Sequence, residues 1–215
     1  YVDAKGKRYP VPATLLISAL APVPDIRKAV TMDFKTPGNA LYLVGWTSDE
    51  LGASLFEAWS GVPEGRVPLV ELRSAKDALA ALSEAMKKGL VLSAHNLAEG
   101  GLAVAAAEMA FSGEVGAHID LYEVARTKDV LDEATALFSE SPSRFLLEIE
   151  PDKEKAFLKL LKGVPMARIG QTIANPVLRV VGFDGSPVME AGLHDLKAAW
   201  QDALPALLAG KAARR

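Results

Sequence analysis

The sequence predicts an α/β (α+β) layered sandwich, in which a mixed sheet lies against packed helices. Short apolar runs typical of strands alternate with amphipathic helical segments along the 215 residues, a spacing typical of layered folds. Hydrophobic residues make up 50% of the chain, which is ample for a buried core. The charged fraction of 24% is close to the globular average, so we expect an ordered domain.

Composition excludes several classes of function. The chain has no cysteine, so disulfides, thiolate catalysis and cysteine-ligated metals are ruled out. Its three histidines, His95, His118 and His194, lack metal-binding spacing, and we expect no histidine metal site. The net charge of −3 favours neither nucleic acid nor an anionic membrane surface as a partner. No apolar run approaches the roughly 20 residues of a membrane span, so we expect a cytoplasmic protein.

The first 38 residues are rich in proline and glycine and contain one apolar run, Thr14 to Leu20, which predicts a buried strand. We interpret 1–38 as the trailing edge of a preceding domain plus a connector. Residues 39–210 are then the main domain, and 211–215 a basic tail. The polar stretch that begins at Tyr1 leads us to expect a piece of a longer polypeptide.

The main domain alternates strands and helices. Apolar runs and turn residues predict strands at 39–46, 90–95, 116–121, 145–150, 167–173 and 177–183. A capping box at 47–50 predicts one helix start, and further helices are predicted at 74–89, 101–111, 128–138, 151–163 and 192–210. In the helix at 74–89 we expect Ser74 to be the N-cap and Gly89 the end.

A glycine pair before the helix at 101–111 is the first candidate site. Gly100 and Gly101 leave backbone N–H groups at a helix start, where the dipole favours an anion and a phosphate can approach closely. The same pair also fits a tight turn that brings the helix close to the sheet. His95 fits either a catalytic role at the end of a strand or a structural hydrogen bond. Glu99 fits either a magnesium ligand or a complement to the helix dipole.

The turn at 137–145 concentrates hydroxyls, an acid and a guanidinium. Ser139, Glu140, Ser141 and Arg144 would suit recognition of a phosphate or a carboxylate. The alternative is a turn that closes a helix, in which Arg144 pairs with Glu140.

The segment 47–54 also follows a strand. It places Gly52 and Ser54 where the backbone could face a ligand. The alternative is an ordinary capped helix start.

Four segments together resemble one family. "PVPATLLISAL", "FKTPGNALYLVGWTSDELGAS", "LVLSAHNLAEGGLAVAAAEMAF" and "LFSESPSRFLLEI" stand in the order and spacing of the C-terminal part of the phosphoribosylformylglycinamidine synthases. These are ATP-dependent amidoligases of purine biosynthesis. The resemblance covers nearly the whole chain and implies a C-terminal domain like that of aminoimidazole ribonucleotide synthetase.

The resemblance also implies an activity and partners. The full enzyme uses ATP and Mg²⁺ to activate formylglycinamide ribonucleotide, and ammonia then gives formylglycinamidine ribonucleotide. A glutaminase subunit supplies the ammonia, a small accessory subunit bridges the two, and upstream domains of the chain carry most of the ATP and metal ligands and the catalytic histidine. We therefore assign no catalytic residue here, and the ten positions that match ligand-facing motifs are His95, Glu99, Gly100, Gly101, Ser139, Glu140, Ser141, Arg144, Gly52 and Ser54.

The chain departs from the family pattern at four positions. Aspartate is usual at Asn96, a serine or threonine at Ala98, glycine at Ala53 and proline at Ala13. Two functions follow as alternatives: a segment that forms substrate- or phosphate-facing walls, or a structural module without substrate contact. Other members of the superfamily, such as aminoimidazole ribonucleotide synthetase and selenophosphate synthetase, are a third possibility. The fragment could be a monomer or a homodimer.

Overall fold

A computed structural model describes residues 2–10, 16–61 and 65–208. Seven strands form one sheet: β1 (Ala40–Val44), β2 (Ser93–Asn96), β3 (Gly116–Asp120), β4 (Phe145–Ile149), β5 (Met166–Ile173), β6 (Val177–Val181) and β7 (Pro187–Gly192). The helices are α1 (Leu55–Ser60), α2 (Leu72–Lys87), α3 (Gly101–Gly113), α4 (Glu133–Phe138), α5 (Glu154–Leu160) and α6 (Leu193–Leu208). This mixed sheet with helices confirms the predicted fold class.

The strands lie in the order β2-β4-β1-β5-β3-β6-β7. All neighbouring pairs are antiparallel except β3 and β6, which are parallel. The strands predicted at 167–173 and 177–183 follow each other in sequence, yet β3 lies between them in the sheet. The 174–176 turn therefore joins two strands that are not neighbours.

Side chains alternate between the two faces of the sheet, and each face has its own core. On one face, Leu41 and Leu43 of β1 pack with α3, whose buried stripe includes Leu102 and Met109. On the other face, Tyr42 and neighbouring apolar residues pack with α2 and α5. Helices therefore cover both faces of the sheet, which gives three layers and agrees with the predicted layered sandwich.

Several predicted boundaries are wrong. The helix predicted from the capping box at 47–50 begins only at Leu55, because Thr47 lies in an isolated bridge instead of a helix. The cap of α2 is Glu71, whose carboxylate accepts hydrogen bonds from the backbone of residues 73 and 74, so Ser74 lies inside the helix. The helices predicted from 128 and 151 start at Glu133 and Glu154, and the edge strand β7 was not predicted.

The strand predicted at 14–20 is wrong over its described part. Residues 16–20 form no regular element, and Leu16, Ile17 and Leu20 are almost fully exposed. Residues 14 and 15, like the predicted tail at 211–215, lie outside the described residues. The division of the chain at residue 38 stays a prediction.

A buried carboxylate attaches the connector to the sheet. Glu148 of β4 is completely buried, and its Oε2 accepts hydrogen bonds from Ser93 Oγ at 2.8 Å and from the backbone N–H of Lys35 at 2.9 Å. Its Oε1 accepts from Asn39 Nδ2 at 2.7 Å and from the N–H of Thr36 at 3.3 Å. Four donors therefore share one carboxylate, and residues 35–39 are held against the core.

We expect Glu148→Gln to lower the free energy of unfolding by about 2 kcal/mol, since the amide NH₂ would face groups that are themselves donors. Urea denaturation of the chain, followed by circular dichroism, measures this loss. Ser93→Ala is the control, because it removes one donor and leaves Glu148 with three; it should cost about 1 kcal/mol. Equal stability of Glu148→Gln and the wild type would contradict the prediction.

Candidate functional site

Three loops meet at one end of the sheet. The loop at 47–54 follows β1, the loop at 97–101 follows β2, and the turn at 139–144 precedes β4. Both β1 and β2 pair antiparallel with β4, so their carboxyl ends lie beside its amino end. We call these loops the three-loop cluster; they contain nine of the ten site positions predicted from sequence.

Arg144 joins two of these loops from inside the protein. Its side chain is completely buried; Nη1 donates to Thr47 Oγ1 at 2.9 Å and Nε to the carbonyl of Ser141 at 3.0 Å. Nη2 donates to the carbonyl of Ser139. Burial lowers the pKa of Arg144 to about 10, and the charges of Glu50 and Glu140 oppose that shift. The guanidinium is therefore still charged at neutral pH.

The two buried serines of the turn fix the loop at 47–54. Ser139 Oγ donates to the carbonyl of Ser48 at 2.7 Å, and Ser141 Oγ accepts from the N–H of Ser48 at 3.0 Å. The two hydroxyls also contact each other at 3.0 Å. Arg144 forms no ion pair with a carboxylate of the described residues, so the pairing with Glu140 that one of the two interpretations included is absent there.

The glycine pair is buried and already has partners. The N–H of Gly100 donates to Glu140 Oε1 at 2.9 Å, and that of Gly101 to the carbonyl of Ala98 at 3.1 Å. Both glycines have positive φ, 77° and 60°. A Cβ on Gly101 would lie 2.4 Å from the carbonyl oxygen of Ser139, so glycine is required for this close approach.

The remaining predicted positions in the three loops differ in their exposure and in their contacts. Glu99 is exposed, and its carboxylate has no hydrogen bond or ion pair within the described residues. Ser54 is buried and caps α1 by accepting from the N–H of Glu57 at 3.1 Å. Gly52 donates to the carbonyl of Arg66 at 3.0 Å, and a Cβ there would meet the same residue. Ser54 and Gly52 thus shape the loop from within.

His95 lies apart from the cluster. Its side chain is on the face of β2 that carries α3, and Nε2 lies 2.9 Å from Oε2 of Glu108. Both side chains are largely buried, at 17% and 24% exposure. The sequence offered no carboxylate partner for His95, because the pair depends on how α3 lies across β2.

A cleft of about 760 Å³ opens beside the three-loop cluster. Ser48, Glu50 and Ser141 contribute from the cluster, and Trp46 and Lys128 contribute from outside it. Sequence reasoning missed the last two, because the segments that carry them meet through the non-local bridge of Thr47 and Arg126. A tryptophan at the carboxyl end of the strand predicted at 39–46 was the one signal in the sequence.

Two negative findings apply to the described ranges 2–10, 16–61 and 65–208. No three histidine, aspartate or glutamate side chains there lie together as a metal site would require. No helix there is both long and apolar enough to cross a bilayer.

The sheet, its helices and the three-loop cluster define a known class of domain. The chain belongs to the family described as AIR synthase related protein, C-terminal domain, whose model matches residues 36–182.

Two curated relatives show which proteins of this family the chain is similar to. The chain is 35% identical over 207 residues to the phosphoribosylformylglycinamidine synthase subunit PurL of Moorella thermoacetica, and 33% identical to that of Alkaliphilus metalliredigens. Each alignment covers 95% of this chain and 27% of the relative. The chain therefore spans about a quarter of the length of these relatives.

Solved structures share the fold. PurL of Thermotoga maritima complexed with FGAR superposes with a TM-score of 0.71 at 23% identity, over 79% of this chain and 29% of that one. Hydrogenase maturation protein HypE superposes with a TM-score of 0.56 at 16% identity, over 76% of this chain and 55% of that one. At these identities the likeness shows a common architecture.

Gly101→Ala tests the close approach between the start of α3 and the turn at 139–144. The added methyl would lie 2.4 Å and 2.7 Å from two backbone carbonyl oxygens, of Ser139 and Leu137. We expect a loss of about 2–4 kcal/mol in the free energy of unfolding, because backbone has to move and φ is positive. Urea denaturation measures it.

Ala53→Gly is the matched control, and we expect it to change the free energy of unfolding in the opposite direction. Ala53 is exposed and has a φ of 62°, which disfavours any residue with a Cβ. This variant should gain about 1 kcal/mol in the same assay. A destabilised Ala53→Gly, or an unchanged Gly101→Ala, would show that backbone geometry does not limit these loops.

Proposed function

We propose that this chain is the C-terminal-type domain of a phosphoribosylformylglycinamidine synthase, a carbon–nitrogen ligase. The reaction converts formylglycinamide ribonucleotide, ATP and glutamine-derived ammonia to formylglycinamidine ribonucleotide in purine biosynthesis. The observation that carries the proposal is 35% identity to PurL over 95% of the chain. Solved complexes of T. maritima PurL with FGAR and with ATP support both ligands.

The chain contributes one part of the full activity. It spans 27% of the length of PurL. We propose that upstream domains, a glutaminase subunit and a small accessory subunit complete the ligase. The structure named PurLQS from Thermotoga maritima supports an assembly of several subunits. The isolated chain is expected to lack synthase activity.

The role of this chain is to hold a rigid wall beside the substrate. Arg144 and the buried serines fix the loops at 47–54 and 139–144, and a preorganised wall loses little entropy on binding. The exposed turn residues then present polar groups to the substrate, and the carboxylate of Glu99 suits a ribose hydroxyl.

ATP supplies the phosphoryl group that activates the formamide oxygen, and Mg²⁺ would neutralise its phosphates. No three acidic or histidine side chains converge among the described residues, so these residues form no all-protein cage for Mg²⁺. In line with the family resemblance, most of the metal ligands are expected in the upstream domains of the ligase.

A structural module is the second candidate, and one observation favours it. The N–H of Gly100 is occupied by Glu140, and the Arg144 donors reach backbone carbonyls and Thr47. These polar groups are satisfied without any ligand, as in a domain that only supports its neighbours.

A chimera tests the assignment. The matching segment of the Moorella thermoacetica subunit would be replaced by this chain, and ADP release measured with formylglycinamide ribonucleotide and ammonium chloride. We expect substrate-dependent ADP release within about ten-fold of the parent, because 35% identity preserves the domain. The same subunit with the segment deleted is the control and should be inactive. A folded chimera that releases no ADP in response to the substrate would refute the proposal.

Glu99→Gln in that chimera distinguishes the two proposed roles of the chain, a substrate-facing wall and a structural module. If Glu99 faces the substrate, kcat/KM for formylglycinamide ribonucleotide should fall about ten-fold, since a charged hydrogen bond is lost. Asp77→Asn on α2 is the matched control, because Asp77 is also an exposed acid and belongs to none of the three loops. Equal kinetics in both variants would favour the structural module.

A further inference from the structure

A second groove, of about 410 Å³, lies between the connector and the end of α2. Among its described lining residues five side chains are basic and none is acidic; the five are Arg27, Lys28 and Lys35 of the connector and Lys87 and Lys88 at the end of α2. The whole chain has a net charge of −3, so its composition does not by itself favour such a patch. We call this surface the basic groove.

Two of the five cations have no acidic partner. The other three form the pairs Arg27–Asp25 at 2.9 Å, Lys35–Asp33 at 2.6 Å and Lys88–Glu84 at 3.3 Å. None of these three acids lines the groove. Lys28 and Lys87 are exposed and form no ion pair within the described residues. Positive charge is therefore left for a ligand.

The dipole of α2 explains only part of this charge. Cations stabilise the carboxyl end of a helix, and this effect accounts for Lys87 and Lys88. Arg27 and Lys28 instead belong to a single 3-10 turn of the connector, Ile26–Lys28, which is too short to have a comparable dipole. Two separate segments thus bring like charges to one groove, an arrangement that is unfavourable unless an anion lies between them.

Both walls of the groove are fixed to β4 through Glu148. Its side chain accepts from the N–H of Lys35 in the connector, and its carbonyl accepts from the N–H of Leu92, after α2, at 2.9 Å. The N–H of Ala94 also donates to the carbonyl of Thr31 at 3.1 Å, which joins the two walls directly. The backbone of the groove is therefore ordered before a ligand arrives, so binding costs less entropy.

The floor of the groove is apolar and contains Val30, Met86 and Val91, all at least partly buried. A ligand with both apolar groups and several negative charges would match this surface, whereas a small inorganic anion would leave the floor unused. No aromatic ring lines the groove among the described residues, so nucleic-acid bases would find no surface on which to stack. These features together favour an acidic peptide.

We propose that the basic groove binds an acidic peptide segment of a partner protein. Carboxylates of the peptide pair with Lys28 and Lys87, and its apolar side chains contact the floor between them. The volume of about 410 Å³ is within the range of about 300–1,000 Å³ that is typical of ligand clefts. Because exposed ion pairs are individually weak and screened by salt, the affinity depends on ionic strength.

This inference rests on the charge and shape of the groove and not on the proposed ligase. An inactive chimera would leave it standing, and absence of peptide binding would leave the ligase assignment standing.

Fluorescence anisotropy with the labelled peptide Glu-Glu-Leu-Glu-Glu-Leu-Glu-Glu and the 215-residue chain tests the proposal. We expect saturable binding at low ionic strength, weakened about ten-fold when the ionic strength is raised to about 0.5 M. The double variant Lys28→Glu/Lys87→Glu should weaken binding at least about ten-fold, because like charges then face the peptide.

The double variant Lys5→Glu/Lys76→Glu is the matched control. It changes the net charge equally and alters exposed lysines of the N-terminal segment and of α2 that do not line the groove. It should bind the peptide like the wild type, and circular dichroism checks that both double variants are folded. Equal weakening by the two double variants would overturn the proposal, since it would show a response to net charge alone.

Two further probes test the chemistry of the ligand. A peptide with serine in place of both leucines keeps the charge and should bind about three-fold more weakly, because it loses apolar contact. A single-stranded oligothymidylate of equal charge should also bind more weakly than the first peptide, since its bases cannot stack. Absence of saturable peptide binding to the folded chain, or tighter binding of the oligonucleotide, would overturn the proposal. Equal affinity of the two peptides would refute the contact with the apolar floor.

Discussion

The buried guanidinium of Arg144 is the interaction on which the loop end of the molecule depends. A charge removed from water is costly unless it is hydrogen-bonded and balanced by nearby opposite charge. Here Thr47 and two backbone carbonyls accept from it, and Glu50 and Glu140 oppose the loss of its proton. Because these partners belong to different loops, the guanidinium is satisfied in only one arrangement of those loops.

Close backbone contacts work together with this charge. Gly45 and Gly101 both have positive φ, and a Cβ on either would lie within 2.8 Å of a carbonyl of the turn at 139–144. The turn thus touches the ends of both β1 and α3 with no side chain between. The hydrogen bonds of Arg144 and the close backbone contacts together make the three-loop cluster rigid. Thr47 connects the cluster to the cleft beside it, so that side of the cleft is rigid as well.

Local patterns predicted the interior of the fold well. The apolar runs of β1 and β4 and the stripe of α3 were recognisable, because burial on a sheet face or a helix face leaves a period in the sequence. The helix start at 47–50 was wrong because the Thr47 hydroxyl accepts from Arg144, a residue 97 positions away. The cap at Ser74 was wrong because a glutamate three residues earlier competes for the same backbone groups.

The candidate site was predicted less completely, for a physical reason. The loops were singled out by their local chemistry and then by the family resemblance, and the sheet explains why three separate loops meet. Which groups remain free for a ligand depends on distances that sequence does not carry. The pairing of His95 with Glu108 and the placement of Trp46 beside Lys128 both arise from contacts between distant segments.

Glu140 gives the start of α3 an anion that is covalently part of the chain. A tethered carboxylate acts at an effective concentration on the order of millimolar or higher. A free phosphate that approaches the N–H of Gly100 must therefore displace an intramolecular competitor already 2.9 Å away. An external anion would reach this N–H only if it bound tightly enough to outcompete the tethered carboxylate at that effective concentration.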